Sequence, residues 1–303
     1  MTNDARTETV MISISGGRTS GFMAIWASMN KDKICEFIGA DSVNLLYVFA
    51  NTGLEHPETL RFLNDIDVNF LSNEIVWLEG ETIEGRVSTK HKQVDYGSCS
   101  TVESFKDKEH PFHQHVVKYG IPNVSFKSCS RELKRNTINS YMKSIGMDEK
   151  RDFYTAIGIR DDETRRVAKN PMARNIIYPL IDLLPTDKQD VIEWWSKQAF
   201  DLNIPEWLGN CVNCYKKSTK KLALSYRDYP SGWDGFIYYE KKYSTIGPEF
   251  TKYTDAMPRV NFRGKKGCNE MIAIFPMILD SAESYINEKE GGCSESCEIY
   301  ETE

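Results

Sequence analysis

Long apolar runs, secretory features and low-complexity tracts are missing from this 303-residue chain, and each absence removes a class of protein. The longest late apolar stretch, MIAIFPMIL from Met271 to Leu279, is too short to cross a bilayer and is interrupted by Pro276, so no membrane role is expected. The N-terminal MTNDARTETV carries no apolar core of a signal peptide, which makes the cytoplasm the expected, cytoplasmic address. No internal repeat and no Gly/Ser-rich linker is found, which argues against a solenoid or freely swinging modules. Cation excess is missing too. With 38 Lys and Arg against 44 Asp and Glu the net charge is −6, so whole-molecule attraction is not what would bring nucleic acid to this protein. The GxxxxGK[ST] spacing of Walker-type NTPases is also lacking.

What is present begins at residues 10 to 26, VMISISGGRTSGFMAIW, a β-branched strand that runs into a glycine turn and opens a helix. Val10, Ile12 and Ile14 supply the strand. Gly16 and Gly17 let the backbone take a positive φ and approach an anion with no Cβ in the way. The amides of Arg18, Thr19 and Ser20 then fall at a helix N-terminus, where unpaired N–H groups and the dipole favour negative charge. An ordinary strand-to-helix connection uses the same residues, so the phosphate reading needs support from elsewhere.

Three further blocks supply it. VFANTGLEHPETLRFL (Val48 to Leu63) reads as a second strand, an NTG turn and a helix opening at Pro57; SCSRELKRNTINSYM (Ser128 to Met142) and AIGIRDDETRR (Ala156 to Arg166) follow in order. Together with SGGRTSG they resemble the PP-loop ATP pyrophosphatase superfamily, and within it the phage-type branch of the phosphoadenosine phosphosulfate (PAPS) reductase-like family, over roughly residues 10 to 222. Thr19 stands where a PP-loop usually has an acidic residue, a variation this branch shares. The resemblance implies an α/β fold, a parallel sheet of PP-loop (adenine nucleotide alpha hydrolase-like) type. It also implies an ATP or PAPS site at Ser15, Gly16, Gly17, Arg18, Thr19 and Ser20, joined by Asn51, Thr52 and Gly53 of the second turn and by Gly158.

The order of elements agrees, since strand, helix, strand, helix over the first third is the pattern of a parallel sheet with helices on both faces. Strands are expected near residues 10 to 15, 44 to 50, 74 to 78, 123 to 126 and 153 to 159, with helices after the glycine turn, from Pro57 to about Asp67, and from about Arg131 to Ile145. Ligands of such sheets bind beyond the carboxyl ends of the strands, where both SGGRTS and NTG fall. Residues from about Gly80 to His115 lack periodicity and read as an insertion or lid. Its HPFHQH cluster, His110, His113 and His115, reads as solvated loop histidines or as a metal site. Beyond Tyr178-Pro179-Leu180 the composition shifts, dividing the chain into a nucleotide-binding domain at 1–180 and a smaller, cysteine-rich helical region at 181–303 that packs against it. Thr186 is the expected N-cap of a helix carrying Val191, Trp194 and Trp195, with the tryptophans in the core. KKSTKKL, Lys216 to Leu222, reads as a solvated helix face or a local nucleic-acid contact.

Eight cysteines in a cytoplasmic protein are not expected to be disulfides. GNCVNCYKK places Cys211 and Cys214 at a spacing whose thiolates reach one metal centre, and Cys293 and Cys297 form a looser pair. The resemblance implies a [4Fe-4S] cluster on Cys129, Cys211, Cys214 and either Cys293 or Cys297; zinc on the same thiolates is the competing reading. Cys35 and Cys268 have no partner at motif spacing and read as ordinary thiols, and Cys99 is a lid thiol or a mobile sulfur carrier.

GIRDDETRR taken alone reads as a solvated strand-to-loop connection with local ion pairs; the resemblance favours instead an Arg160 guanidinium that meets anionic oxygens in a bidentate way from the end of a strand, Arg165 and Arg166 doing so from the following turn, and Asp162 or Glu163 orienting them or helping to hold Mg2+. Arg160, Arg165 and Cys297 are therefore the catalytic candidates. The implied activity is that of an oxidoreductase or sulfurtransferase in sulfur metabolism, acting by PAPS reduction or ATP-dependent sulfur transfer, with the reductant or sulfur donor unspecified. The ECG[IL]H-like tail of the reductases is absent, and GGCSESCEIY stands near the C-terminus instead. Sulfur insertion into nucleic acid through an adenylylated intermediate is an alternative, as is a degenerate nucleotide-binding interaction protein. A homo-oligomer is compatible with all of these.

Overall fold

Alternation along one strand sets the layers of this protein, for which the computed structural model describes residues 5–83, 89–148, 152–245 and 261–282. In β1 (Thr7–Ile14), Val10, Ile12 and Ile14 enter one apolar cluster and Met11 another on the opposite face. Strand β2 (Ser42–Asn51) repeats the division, with Tyr47 and Phe49 on the first face and Val48 and Ala50 on the second. Helices α1 (Arg18–Met29), α2 (Lys31–Ile38) and α3 (Pro57–Phe70) cover the first face. The second is covered by α5 (Thr137–Ser144), which follows α4 (Pro111–Tyr119) and brings Ile138, Tyr141 and Met142 against Leu78 and Phe153. Burial on both faces is why these strands carry near-continuous apolar runs.

The sheet is completed by β3 (Val76–Thr82), β4 (Thr89–Val94), β5 (Phe153–Ile157) and β6 (Ile176–Ile177), in the order β4-β3-β2-β1-β5-β6. All neighbours are parallel except β3 and β4. The chain builds outward from β1 through β2 to β3, then returns to the other side of β1 with β5. The direction of winding reverses there, and the crevice at the carboxyl ends of β1 and β5 is where an open α/β sheet takes its ligand.

Helices α6 (Pro179–Asp182) and α7 (Lys188–Ser196) follow β6, and α7 packs on α1 with Val191 and the fully buried Trp195 in the same cluster as Val10 and Phe62. The core is thus continuous across residue 180. Helices α8 (Thr219–Asp228), α9 (Asp234–Tyr243) and α10 (Cys268–Ala282) form a second cluster with α4, in which Leu222, Phe236 and Phe275 meet Phe112 and Val116.

Four local expectations are corrected. Residues 123 to 126 form a turn with one bridge, because Asn123 Oδ1 accepts the amides of Ser125 and Phe126 at 3.0 and 3.1 Å. The helix expected from Arg131 opens as a π-helix at Ser130–Asn136. The cap of α7 is Asp187, in a reciprocal capping box with Asp190, while the Thr186 hydroxyl donates to Leu184 O at 2.6 Å. The insertion contains β4 and α4, and His110, His113 and His115 are buried rather than solvated.

His110 explains that burial. Its Nδ1 accepts the His113 amide at the start of α4, and its Nε2–H lies 3.0 Å from Gly53 O and 3.2 Å from Thr101 O, which pins the insertion to the turn after β2. Burial away from water holds its pKa down to about 4, with His113 adding repulsion and Asp107 opposing it. The folded-state pKa lies below the unfolded value, so the stability contributed is intact above about pH 6.5, falls with acidification and stops falling near pH 4. The loss amounts to roughly 3 kcal/mol. Urea midpoints measured across this range should show that acid limb, and the pH slope should flatten in His110→Gln.

Candidate functional site

A cleft of about 200 Å3 opens at the carboxyl ends of β1 and β5. Ser13, Ile14, Ile157 and Gly158 form its floor, the first turn of α1 one rim, and Val191, Ile192, Leu202 and Ile204 an apolar wall. The wall ends at Gly209 and Asn210, directly before Cys211. A polar rim facing an apolar wall suits a ligand with an anionic end and a flat, weakly polar end.

At Gly16 the glycine turn is fixed by a contact that admits no side chain. Gly16 has φ +81°, and a Cβ there would lie 2.6 Å from Thr59 Cγ2. Gly17 is the extended N-cap of α1, and it caps with no side chain, so the first amides of the helix look into the cleft. Ser20 Oγ accepts from the Ser15 amide at 3.1 Å and donates to Gly17 O at 3.0 Å, closing the turn on itself. On the β5 side, a Cβ at Gly158 would stand 3.2 Å from Ser20 Cα.

The charged side chains are arranged differently from the expectation. Arg160 does line the cleft, but its fork is spent on Asp162, with Nε and Nη2 at 2.8 and 3.1 Å from the two carboxylate oxygens. Its remaining nitrogen, Nη1, donates to Thr19 Oγ1 at 3.2 Å and faces Glu163 at 3.3 Å. Arg160 is therefore a strut between the turn after β5 and the start of α1, and its pairing holds the Asp162 carboxyl below its usual range. Glu163 bridges Arg160 to Arg166, which lies 2.5 Å away and lines the cleft. Arg165, the residue expected to act, is exposed and outside the lining; the tight 3-10 helix Asp161–Arg166 turns its neighbour inward instead. The Arg18 side chain grips Asp201 at 2.7 and 3.0 Å and also donates to Leu202 O, while Trp195 Nε1 donates to Arg18 O at 2.9 Å.

The NTG turn does not face the cleft. Asn51 donates to Glu79 Oε1 at 2.7 Å and to Ser100 O at 2.8 Å, and burial raises the pKa of Glu79. Thr52 binds Glu55 through both amide and hydroxyl at 2.8 to 3.0 Å, Gly53 N donates to Asn51 Oδ1, and only Ala50 of this strand end lines the cleft. These polar groups satisfy one another and present the backbone of Leu54 and Glu55 to the next segment. Leu54 O accepts the Val212 amide at 2.9 Å, and Glu55 bridges to Cys211.

That segment is the cysteine loop. Cys211 Sγ lies 3.3 Å from Thr52 Oγ1 and 3.9 Å from Glu55 Oε1, Cys129 Sγ lies 3.4 Å from Tyr215 OH, and Cys129, Cys211 and Cys214 belong to one apolar cluster. Among the described residues no three His, Cys, Asp or Glu side chains come together in metal-holding geometry. Cys293 and Cys297 lie outside the described residues. Burial pushes the Cys99 thiol up to about 12, which makes it a neutral thiol rather than a reactive thiolate, and raises the Cys268 thiol as well; Cys35 packs half-buried on the first core. The KKSTKKL stretch is not a continuous basic face, since Lys217 is 1% exposed with its ammonium on Trp207 O and Val212 O, and Lys221 pairs with Glu206.

Beyond the residues read from sequence, Lys134, Lys188 and Glu206 line the cleft, and Asp201, outside the lining, braces it. Lys134 projects from the π-helix, Lys188 pairs with Glu206 at 2.9 Å, and Asp201 fixes Arg18. Lys134 falls inside the SCSRELK block and was open to recognition there; Lys188, Glu206 and Asp201 carry no motif and are brought in by tertiary packing.

Two substitutions test this geometry. At Gly17 a Cβ meets only Ser15 Oγ at 3.7 Å, so Gly17→Val should fold with a loss of about 1 kcal/mol for the poorer cap while filling the mouth of the helix N-terminus. Calorimetric binding of an anionic ligand at this helix end should become undetectable while the thermal midpoint moves only slightly. Arg160→Lys keeps charge and loses the fork, so Thr19 is no longer held, and affinity should fall about tenfold, ~1.4 kcal/mol. Wild-type affinity in that variant would refute the strut.

No family model matches the chain, and no solved structure matches it. It is 30% identical over 302 residues to the uncharacterized nin region protein ORF290 of Escherichia phage lambda, an alignment that takes in 96% of this chain and 94% of the relative. At that identity and coverage the chain belongs to the family of that phage lambda protein.

Proposed function

We propose that this protein is an adenine-nucleotide-binding enzyme of the PP-loop, PAPS reductase-like type that handles sulfur. The observation that carries the reading is the continuity of one wall: the cleft opens on the uncapped N-terminus of α1 and ends at Asn210, next to Cys211. Phosphates belong at the amides of residues 18–20 and the adenine against the apolar wall of Val191, Leu202 and Ile204. Cys129, Cys211 and Cys214, already in one apolar cluster, fit a thiolate-held centre in kind, with Cys293 or Cys297 as the fourth ligand. A [4Fe-4S] cluster there supplies electron transfer or sulfur binding; zinc supplies structure alone. In PAPS reduction a thiolate, for which Cys297 is the candidate, attacks sulfur and adenosine bisphosphate leaves. In the ATP reading the α-phosphorus is attacked and pyrophosphate leaves.

Titration calorimetry with ATP and with PAPS, on protein prepared without oxygen, decides between the substrates; binding of neither overturns the reading. Iron, sulfide and zinc analysis of the same preparation identifies the centre. Cys211→Ala should lose the metal and lower the unfolding midpoint, because ligands distant in sequence cross-link the fold, whereas Cys35→Ala should change neither.

A second reading, sulfur insertion into nucleic acid, is favoured by a basic loop at the lip of the cleft.

A further inference from the structure

In a chain where 44 acids occur among 303 residues, about one in seven, residues 164–181 contain none and carry four cations: Arg165, Arg166, Lys169 and Arg174. This stretch leaves the carboxyl end of β5, so it starts at the cleft, where Arg166 is part of the lining. It is not a loose connection. Asn170 and Asn175 take the left-handed conformation at φ 51° and 52°, and the Ile176 amide donates back to Pro171 O at 3.0 Å. The Ala168 amide donates to Tyr178 OH at 3.0 Å.

A separate apolar cluster, built from Ile157, Ile159, Ala168, Ile176 and Tyr178, lies beneath the stretch and fixes its shape. Burial raises the pKa of the Tyr178 hydroxyl, and the Ala168 amide and the charges of Arg174 and Arg166 oppose that rise. Arg165, Lys169 and Arg174 are exposed, and Met172 stands among them 45% exposed, an apolar side chain between cations.

We propose that this loop is a track for a single-stranded nucleic-acid backbone leading to the cleft. Cations held at fixed positions meet successive phosphates, and Met172 offers an apolar surface to an unstacked base. The proposal rests on the nucleotide reading of the cleft and names its acceptor class: a polynucleotide, one unit of which reaches the cleft while its neighbours lie on the loop. The net charge of −6 keeps the rest of the surface from competing for the strand.

The test is fluorescence anisotropy of a short labelled single-stranded oligodeoxynucleotide across a salt series, with wild type and Lys169→Gln/Arg174→Gln. Each lost phosphate contact lowers the slope of log affinity against log salt by about 0.7, so the double variant should lose about 1.4 from the slope and bind weakly at moderate salt. Its calorimetric affinity for the mononucleotide should be unchanged, because neither side chain lines the cleft. Lys31→Gln/Lys33→Gln, on α2 near the amino ends of the strands, should bind the strand as wild type does. An unaltered slope in Lys169→Gln/Arg174→Gln overturns the track, as does displacement of the oligonucleotide by polyglutamate as readily as by unlabelled strand. Mononucleotide binding lost in the wild type overturns the cleft reading instead, so the two failures are distinguishable.

Discussion

The approach of the α1 N-terminus to the end of β5 and to the first turn of α3 is the contact on which the site depends. It exists because two positions have no Cβ: at Gly16 one would lie 2.6 Å from the Thr59 side chain at Cγ2, and at Gly158 3.2 Å from the Ser20 backbone at Cα. With those positions closed, the first amides of α1 point along the crevice where the winding of the sheet reverses, and the rest of the molecule is organised around keeping them there. Ser15 and Ser20 tie the turn to itself, Arg160 braces Thr19 from β5, and Trp195 holds the Arg18 carbonyl from α7.

That geometry sets the electrostatics. Arg18, Arg160, Arg166 and Lys188 all line the cleft, and each has an internal carboxylate partner: Asp201, Asp162, Glu163 and Glu206. A cation already paired in this way contributes orientation more than free charge, so toward an anion these four side chains count for less than the fixed amide dipoles of the helix. The pairs also serve as braces between segments remote in sequence. Arg18 and Asp201 join the glycine turn to the wall that leads into the cysteine loop, and Lys188 and Lys221 hold Glu206 in that wall from two different helices.

Local signals made the parallel strands, the glycine turn and the helix at Pro57 legible in the sequence, because short near-continuous apolar runs and a Gly-Gly at a strand end constrain the backbone directly. The direction of side chains after a turn was not legible in the same way. In GIRDDETRR the choice between Arg165 and Arg166 as the lining residue depends on the pitch of a 3-10 helix, and the engagement of Arg160 with Asp162 leaves no trace in residue order. The NTG turn has the composition of a ligand-facing loop, yet Glu79 and Glu55, at separations no motif records, take up its donors. His110, His113 and His115 carried the composition of a solvated loop, and the Pro111 that opens α4 was the one local sign of a helix that buries them.

Those buried turns give the two halves of the site a common support. Glu55 binds Thr52, Thr52 lies against Cys211, and Leu54 carries the Val212 amide, so the cysteine loop is mounted on the end of β2 as a further extended segment. The glycine turn is mounted on the end of β1, the adjacent strand in the same sheet. A shift of β1 against β2 would move the α1 amides relative to Cys211, and the eight-residue register from Thr7 opposite Ser42 to Ile14 opposite Phe49 forbids it, since a slip of one residue would turn Val10 and Ile12 to the wrong face. The separation between the N-terminus of α1 and the cysteine loop is thereby held by the central pair of strands in the sheet, and any chemistry that passes from one to the other works across a distance set by the sheet rather than by a loop.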